Sequence, residues 1–111
     1  MPESPLIEDR CHPLRGAEHR LDKSQILALL KQLDGWEVDQ ERLLREFHFA
    51  DYKSTLLFVN AIGWLAEREN HHPDLEVGYV RVKVAYSTHD VGGLSRNDFI
   101  CAAKIEALTS I

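Results

Sequence analysis

The sequence is poor in cysteine and has none of the spacings that build metal sites or disulfide frameworks. Cys11 and Cys101 stand at opposite ends of the chain, and neither belongs to a Cys-x-x-Cys pair. His12 follows Cys11, but no further ligand follows at a usable spacing. We therefore expect no metal and no disulfide framework, and a reduced, cytoplasmic setting fits this cysteine usage.

The sequence also lacks an excess of positive charge and a long apolar run. It has 13 lysines and arginines against 18 aspartates and glutamates, for a formal net charge of -5. Binding to a phosphate backbone depends on clustered Lys and Arg, so direct nucleic-acid binding is disfavoured. No stretch approaches the roughly 20 consecutive apolar residues that span a bilayer, and the N-terminus has no apolar core of a signal peptide. We expect a cytoplasmic protein without nucleic-acid or membrane partners.

The composition present is that of one globular domain. The chain has 111 residues, of which 44% are hydrophobic and 28% charged. Residues 1–19 hold three of the four prolines and no periodic apolar pattern, which indicates a flexible N-terminal extension. Residues 20–111 are expected to form a single domain.

The first half of the domain predicts a helix followed by a hairpin. Asp22 is an N-cap with Gln25 at the third helical position, and the apolar residues that follow have helical spacing up to Gly35. Residues 36–39 and 42–49 come next, and the second of these segments alternates with a period of two. A tight connection between them predicts an antiparallel hairpin.

The next helix is apolar on more than one face. Asp51 is a good N-cap, and the apolar pattern runs to about Glu69. Pro73 is expected to stop the helix. One apolar face of this helix is expected to pack on the sheet of its own domain. The second apolar face is expected to contact a neighbouring subunit, which predicts a homo-oligomer.

The second half of the domain predicts two more strands and a last helix. Residues 75–77 and 80–87 are typical of strands, and Ser95 with Asp98 forms a capping box that opens a helix to about Thr109. The order α-β-β-α-β-β-α predicts an α+β fold, with a four-stranded antiparallel sheet and three helices packed on one face.

Three histidines stand where predicted elements end. His71 and His72 follow the long helix, and His89 follows the last strand. Such positions often display functional groups, although a histidine at an element end is more often solvated or capping. Adjacent histidines without His-x-x-x-His spacing are a poor start for a metal site. Two imidazoles that exchange protons near neutral pH suit a cofactor-free elimination of water.

The spacing around these histidines resembles a known family. The signature of the pterin-4a-carbinolamine dehydratases is matched, at its fixed offsets, by Glu67, His71-His72-Pro73, Tyr79, His89 and Asp98. The likeness covers roughly residues 20–109 and includes Gly35-Trp36. It implies a four-stranded antiparallel sheet with helices on one side, assembled as a homodimer or homotetramer.

The resemblance also implies an activity. Family members are hydro-lyases that remove water from 4a-hydroxytetrahydropterin to give quinonoid dihydropterin, and so regenerate tetrahydrobiopterin or another pterin cofactor. It implies no metal and no cofactor. His71 and His89 are then expected to be the acid and base, and His72 to bind substrate.

Four further residues are candidate substrate-binding positions: Glu67, Pro73, Trp36 and Asp98. Glu67 could orient a histidine, hold the pterin or be a solvated acid, and Asp98 is fully explained by its capping box. Pro73 is expected to fix the loop. Trp36 and Tyr79 could flank the ring, with core packing favoured for Tyr79. The family often has an aromatic residue where this chain has Leu75.

The resemblance leaves a second function open. Relatives also act as protein partners, including as a dimerisation cofactor of a transcription factor, and others serve in assembly after losing active-site residues. The alternative is therefore a non-catalytic protein-binding module, with a hydroxylase or a regulator as the partner. The intact histidine trio favours the enzyme.

Overall fold

The computed structural model describes residues 5–109, and within them the helices and strands follow the predicted order. These elements are α1 (Lys23–Leu30), β1 (Glu37–Asp39), β2 (Arg42–His48), α2 (Tyr52–Glu69), β3 (Asp74–Val77), β4 (Arg81–Tyr86) and α3 (Arg96–Leu108). Short 3-10 turns lie at Leu6–Glu8, Ala17–His19 and His89–Val91. None of the helices in the described part of the chain is long and apolar enough to cross a membrane.

Local capping signals fix where α1 and α3 begin. Asp22 accepts a hydrogen bond from the backbone N–H of Gln25 at 2.8 Å, and the Gln25 side chain accepts one from the Asp22 N–H at 2.9 Å. At the start of α3 the backbone N–H of Ser95 donates to Oδ2 of Asp98 at 2.9 Å. These hydrogen bonds confirm both capping boxes. Each box satisfies N–H groups that the first helical turn leaves unpaired.

The sheet has the strand order β1-β2-β4-β3, and every neighbouring pair is antiparallel. Alternate residues of β2 and β4 face the helices, as a period of two requires. These buried positions are Leu43, Phe47, Val82, Val84 and Tyr86. The helices complete the core with apolar residues that include Phe58, Ile62, Leu65, Phe99 and Ile105. The predicted α+β fold is confirmed.

The end of α2 has a different cause from the one expected. Asn70 takes the left-handed conformation, with φ at 52°, and the N–H of His71 donates to the carbonyl of Ala66 at 3.1 Å. This is a Schellman motif, which asparagine can close because it tolerates positive φ. The attribution of the stop to Pro73 is therefore wrong: the helix ends before Pro73, which lies half-buried in the loop that follows.

Residues 5–19, expected as a flexible extension, pack against the domain. Leu6 is buried in the core, and its N–H donates to the side chain of Gln32 at 2.9 Å. Lys104 donates to the carbonyl of Ile7 at 2.9 Å. Single contacts of this kind leave no periodic pattern in a sequence, so the sequence alone gave no sign that this segment packs against the domain. Residues 1–4 lie outside the described residues.

Candidate active site

His71 is held against a buried carboxylate. Its Nε2 lies 2.6 Å from Oδ1 of Asp98, whose side chain is completely buried. The other oxygen of Asp98 accepts from the hydroxyl of Thr88 at 2.8 Å and from the N–H of Ser95 at 2.9 Å. A carboxylate that only accepts requires a donor at Nε2 of His71. Neutral His71 therefore carries its proton on Nε2 and keeps a lone pair on Nδ1.

The ring of Tyr86 fixes the plane of the His71 imidazole. The two rings are stacked, with centroids 5.4 Å apart and an angle of 9° between their planes. Tyr86 is fully buried, and its hydroxyl has no hydrogen-bond partner among residues 5–109. Burial raises the pKa of the Tyr86 hydroxyl well above its usual range, so this group stays neutral. His71 is thus constrained at its edge by Asp98 and at its face by Tyr86.

A pair of thiols lies close to this centre. The Sγ atoms of Cys11 and Cys101 are 3.5 Å apart, although their separation in sequence gave no reason to expect contact. The hydrogen bond with Cys101, followed by burial, raises the pKa of the Cys11 thiol far above its usual range. Cys101 is fully buried in α3 and packs in the core as a small apolar residue.

His72 lies on the exposed side of the same loop. Its Nε2 is 2.6 Å from Oε2 of Glu67, and the two side chains are 55% and 79% exposed. Of the roles considered for Glu67, the structure shows the contact with a histidine. An exposed pair of this kind contributes little to stability, so its importance depends on what it does for a ligand.

His89 opens the turn His89–Val91 and is exposed to solvent. It lines a cavity of about 290 Å³, whereas His71 lines a separate cavity of about 330 Å³. Thr88 borders both cavities, and His72 borders neither of them. The chain by itself thus places His71 and His89 on two cavities that meet at Thr88, and His72 outside both of them.

The remaining expected site residues lie in different surroundings. Trp36 is buried in the core, edge-on to Phe47 with 6.0 Å between the ring centroids. Asp98 has no exposed surface, and its contact toward the cavity is with His71. Tyr79 is 73% exposed, and the core packing favoured for it is wrong. Its position next to a chain reversal at Gly78 keeps it outside the core.

Sequence reasoning missed the N-terminal residues at the site. The cavity lined by His71 has residues 11–15 along one side. These residues precede the first periodic element, and nothing in their spacing relates them to a histidine sixty positions away. Within the described residues, no group of three His, Cys, Asp or Glu side chains is arranged to hold a metal ion.

Comparison with known proteins identifies the family. The model of the pterin 4 alpha carbinolamine dehydratase family matches residues 19–108. A protein of Stenotrophomonas maltophilia, provisionally named pterin-4-alpha-carbinolamine dehydratase, is 54% identical over 107 residues, covering 95% of this chain and 92% of its own. A protein of Xanthomonas oryzae with the same provisional name is 56% identical over 106 residues, covering 94% and 90%. The chain belongs to the pterin 4-alpha-carbinolamine dehydratase family.

Two solved structures share the fold. A transcriptional coactivator/pterin dehydratase from Brucella melitensis matches with a TM-score of 0.77 and 35% identity, over 80% of this chain and 97% of its own. A pterin dehydratase-like protein identified as a RuBisCO assembly factor matches with a TM-score of 0.58 and 24% identity, over 68% and 89%. The second likeness concerns the fold alone.

Proposed function

We propose that the chain is a cytoplasmic hydro-lyase that converts 4a-hydroxytetrahydropterin to quinonoid dihydropterin and water, in the regeneration of tetrahydrobiopterin or a related pterin cofactor. The observation that carries the proposal is the contact between His71 and the buried Asp98, which gives a loop histidine one fixed orientation and one fixed tautomer. Family membership supplies the substrate class.

The reaction needs two proton transfers. The 4a-hydroxyl leaves as water once it has received a proton, and N5 loses its proton as the C4a=N5 double bond forms. Neutral His71 is suited to accept the N5 proton on Nδ1, because the imidazolium that results faces the carboxylate of Asp98. His89 supplies the proton to the leaving hydroxyl, and His72 binds substrate from the exposed side. No metal or redox cofactor is needed for this balance.

The test is turnover of freshly generated 4a-hydroxytetrahydropterin, followed by the appearance of quinonoid product. Purified protein should accelerate the reaction over buffer. His71→Ala and His89→Ala should each lose about 10²-fold or more of kcat, which is the usual contribution of a general acid or base. His48→Ala is the matched control, since His48 is exposed and paired with Glu46 on β2. A folded wild-type protein with no turnover would refute the proposal.

We also propose that α2 forms a contact between subunits of a homodimer or homotetramer. Its outward side exposes Leu56, Leu57 and Trp64, with exposed fractions of 39%, 60% and 64%. Large apolar side chains grouped on one helix favour an interface over open solvent. The same surface would serve a protein partner in the alternative, non-catalytic role, for which the transcriptional coactivator/pterin dehydratase is a precedent.

A further inference from the structure

Residues 11–15 form one side of the cavity that His71 lines. The other sides come from the end of α2, the His89–Val91 turn and the start of α3, through Arg68, Glu69, Asn70, Thr88, Asp90 and Asn97. The cavity volume of about 330 Å³ lies at the lower end of the range for ligand pockets. A bicyclic ring with a short substituent is a ligand of that size.

A buried carboxylate fastens the beginning of this segment. Oε2 of Glu69 accepts from Nε of Arg10 at 2.9 Å, and Oε1 accepts from the backbone N–H of Cys11 at 2.8 Å. The Glu69 side chain is 1% exposed. Burial acts to raise the pKa of Glu69, but the N–H of Cys11 and the charge of Arg10 outweigh it and hold the pKa below its usual value. Glu69 is therefore charged and holds the segment at neutral pH.

Two more anchors fasten the segment across the cavity. Asn97 at the start of α3 donates from Nδ2 to the carbonyl of His12 at 2.7 Å and accepts from the His12 N–H at 3.3 Å. Beyond the segment, the N–H of Gly16 donates to the carbonyl of Asp90 at 3.0 Å. The segment is thus tied to α2, α3 and the turn that contains His89, which makes it a constructed wall of the site.

Arg15 is the cation in this wall that a ligand can use. Its side chain is exposed and lines the cavity, and it has no hydrogen bond or ion pair with any residue of the described range. The other arginine of the cavity, Arg68, lies over the ring of Trp64 at 5.4 Å. The family model begins to match at residue 19, so this wall is an addition to the part of the fold that the family model covers.

We propose that the wall formed by residues 11–15 selects the substituent at C6 of the pterin, with Arg15 donating hydrogen bonds to oxygen atoms of that substituent. The inference rests on the proposed dehydratase function. C6 is bonded to N5, so its substituent extends from the same edge of the ring that His71 must reach. A guanidinium has five N–H donors and no acceptor, and it therefore favours a hydroxylated substituent over a methyl group.

The experiment compares two substrates with Arg15→Ala. The substrates are the 4a-hydroxy adducts of 6-methyltetrahydropterin and of 6-(dihydroxypropyl)tetrahydropterin. The KM for the dihydroxypropyl substrate should rise roughly tenfold, as expected for the loss of a hydrogen bond to a charged group. Its kcat and both constants for the methyl substrate should stay unchanged. Arg15→Lys should recover part of the difference, because it keeps the charge without the planar fork.

The control and a second readout separate the possible failures. Arg81→Ala removes another exposed arginine, paired with Glu46 on the opposite side of the sheet, and should alter neither substrate. Calorimetric binding of 7,8-dihydropterins with the same two substituents measures selection without turnover. The inference would be overturned if, in both measurements, Arg15→Ala had no effect or affected the two compounds equally. Selective binding without turnover would instead overturn the dehydratase and leave the wall intact.

Discussion

Asp98 lies directly behind His71, with 2.6 Å between Oδ1 and Nε2, and the same carboxylate closes the first turn of α3. Asp98→Asn replaces one accepting oxygen by a donating NH₂ group. With that group towards His71, Nε2 must accept, and the ring proton moves to Nδ1, where the proposed base needs a lone pair.

We expect Asp98→Asn to lower kcat about 10- to 100-fold with little change in KM, which is typical of a group that orients another catalytic side chain. Steady-state kinetics with 4a-hydroxytetrahydropterin measure both constants. Asp74→Asn, an exposed aspartate at the start of β3, is the control. A rise in KM at constant kcat would show that Asp98 affects binding rather than the orientation of His71.

Substitution of Asn70, the residue before His71, is expected to change the stability of the protein. Its positive φ of 52° suits glycine but costs alanine about 1–2 kcal/mol. Asn70→Ala should therefore lower the free energy of unfolding by about 1 kcal/mol, and Asn70→Gly should leave it nearly unchanged. Urea denaturation measures the difference. Equal stabilities for the two variants would mean that α2 ends in solution without the left-handed turn.

The alkaline stability of the protein should depend on Tyr86 and Cys11. The folded protein raises the pKa of both groups, whereas the unfolded chain releases the thiol proton from about pH 8.5 and the phenol proton from about pH 10. The unfolded state then binds fewer protons than the folded state, so the free energy of unfolding falls as pH rises. Each group involves one proton, so each contributes a slope of at most about 1.4 kcal/mol per pH unit. Solvent partly screens Cys11, which shortens the pH range over which its contribution acts.

Urea denaturation at pH 8, 9, 10 and 10.5 tests this dependence. Tyr86→Phe should flatten the decline above pH 10, and Cys11→Ala should flatten the decline between pH 8.5 and 10. At pH 7 Tyr86→Phe should retain stability, because the hydroxyl it removes has no partner in the described residues. A decline of the same steepness in all three proteins would assign it to other groups.

The outward side of α2 predicts the association state. Leu57→Glu with Trp64→Glu should give a monomer, since two charges at an apolar contact carry a large desolvation cost. Light scattering coupled to size exclusion measures the mass. Lys53→Glu, also on α2, is the matched control for added negative charge. If the wild-type protein is already a monomer at micromolar concentration, the apolar side chains are available to a different protein.

Local signals made much of the fold predictable. Asp22 with Gln25 and Ser95 with Asp98 each act across three positions, so the starts of α1 and α3 can be recognised in sequence. The period of two in β2 and β4 likewise assigns their buried faces. The role of Asn70 depends on its φ angle, which the sequence does not show. The end of α2 was therefore attributed to Pro73.

Contacts between distant segments could not be predicted. The capping box fully accounted for Asp98, and nothing local indicated that its second oxygen would meet His71. Cys11 and Cys101 come together only because the N-terminal segment crosses α3. The wall formed by residues 11–15 depends on Glu69 and Asn97, neither of which stands out in the sequence. These contacts form only in the assembled tertiary structure.

Asp98 contacts His71 and also closes the first turn of α3, so a substitution of Asp98 affects both the site and the fold. A descendant that no longer needs the reaction can replace His71, whose side chain reaches the surface, with little harm to folding. It cannot replace Asp98 as easily, because Ser95 and Thr88 would lose their buried acceptor. In a relative that has lost the proposed reaction, Asp98 is therefore expected to persist after His71 has been replaced, and the surviving aspartate would mark the position of the proposed site.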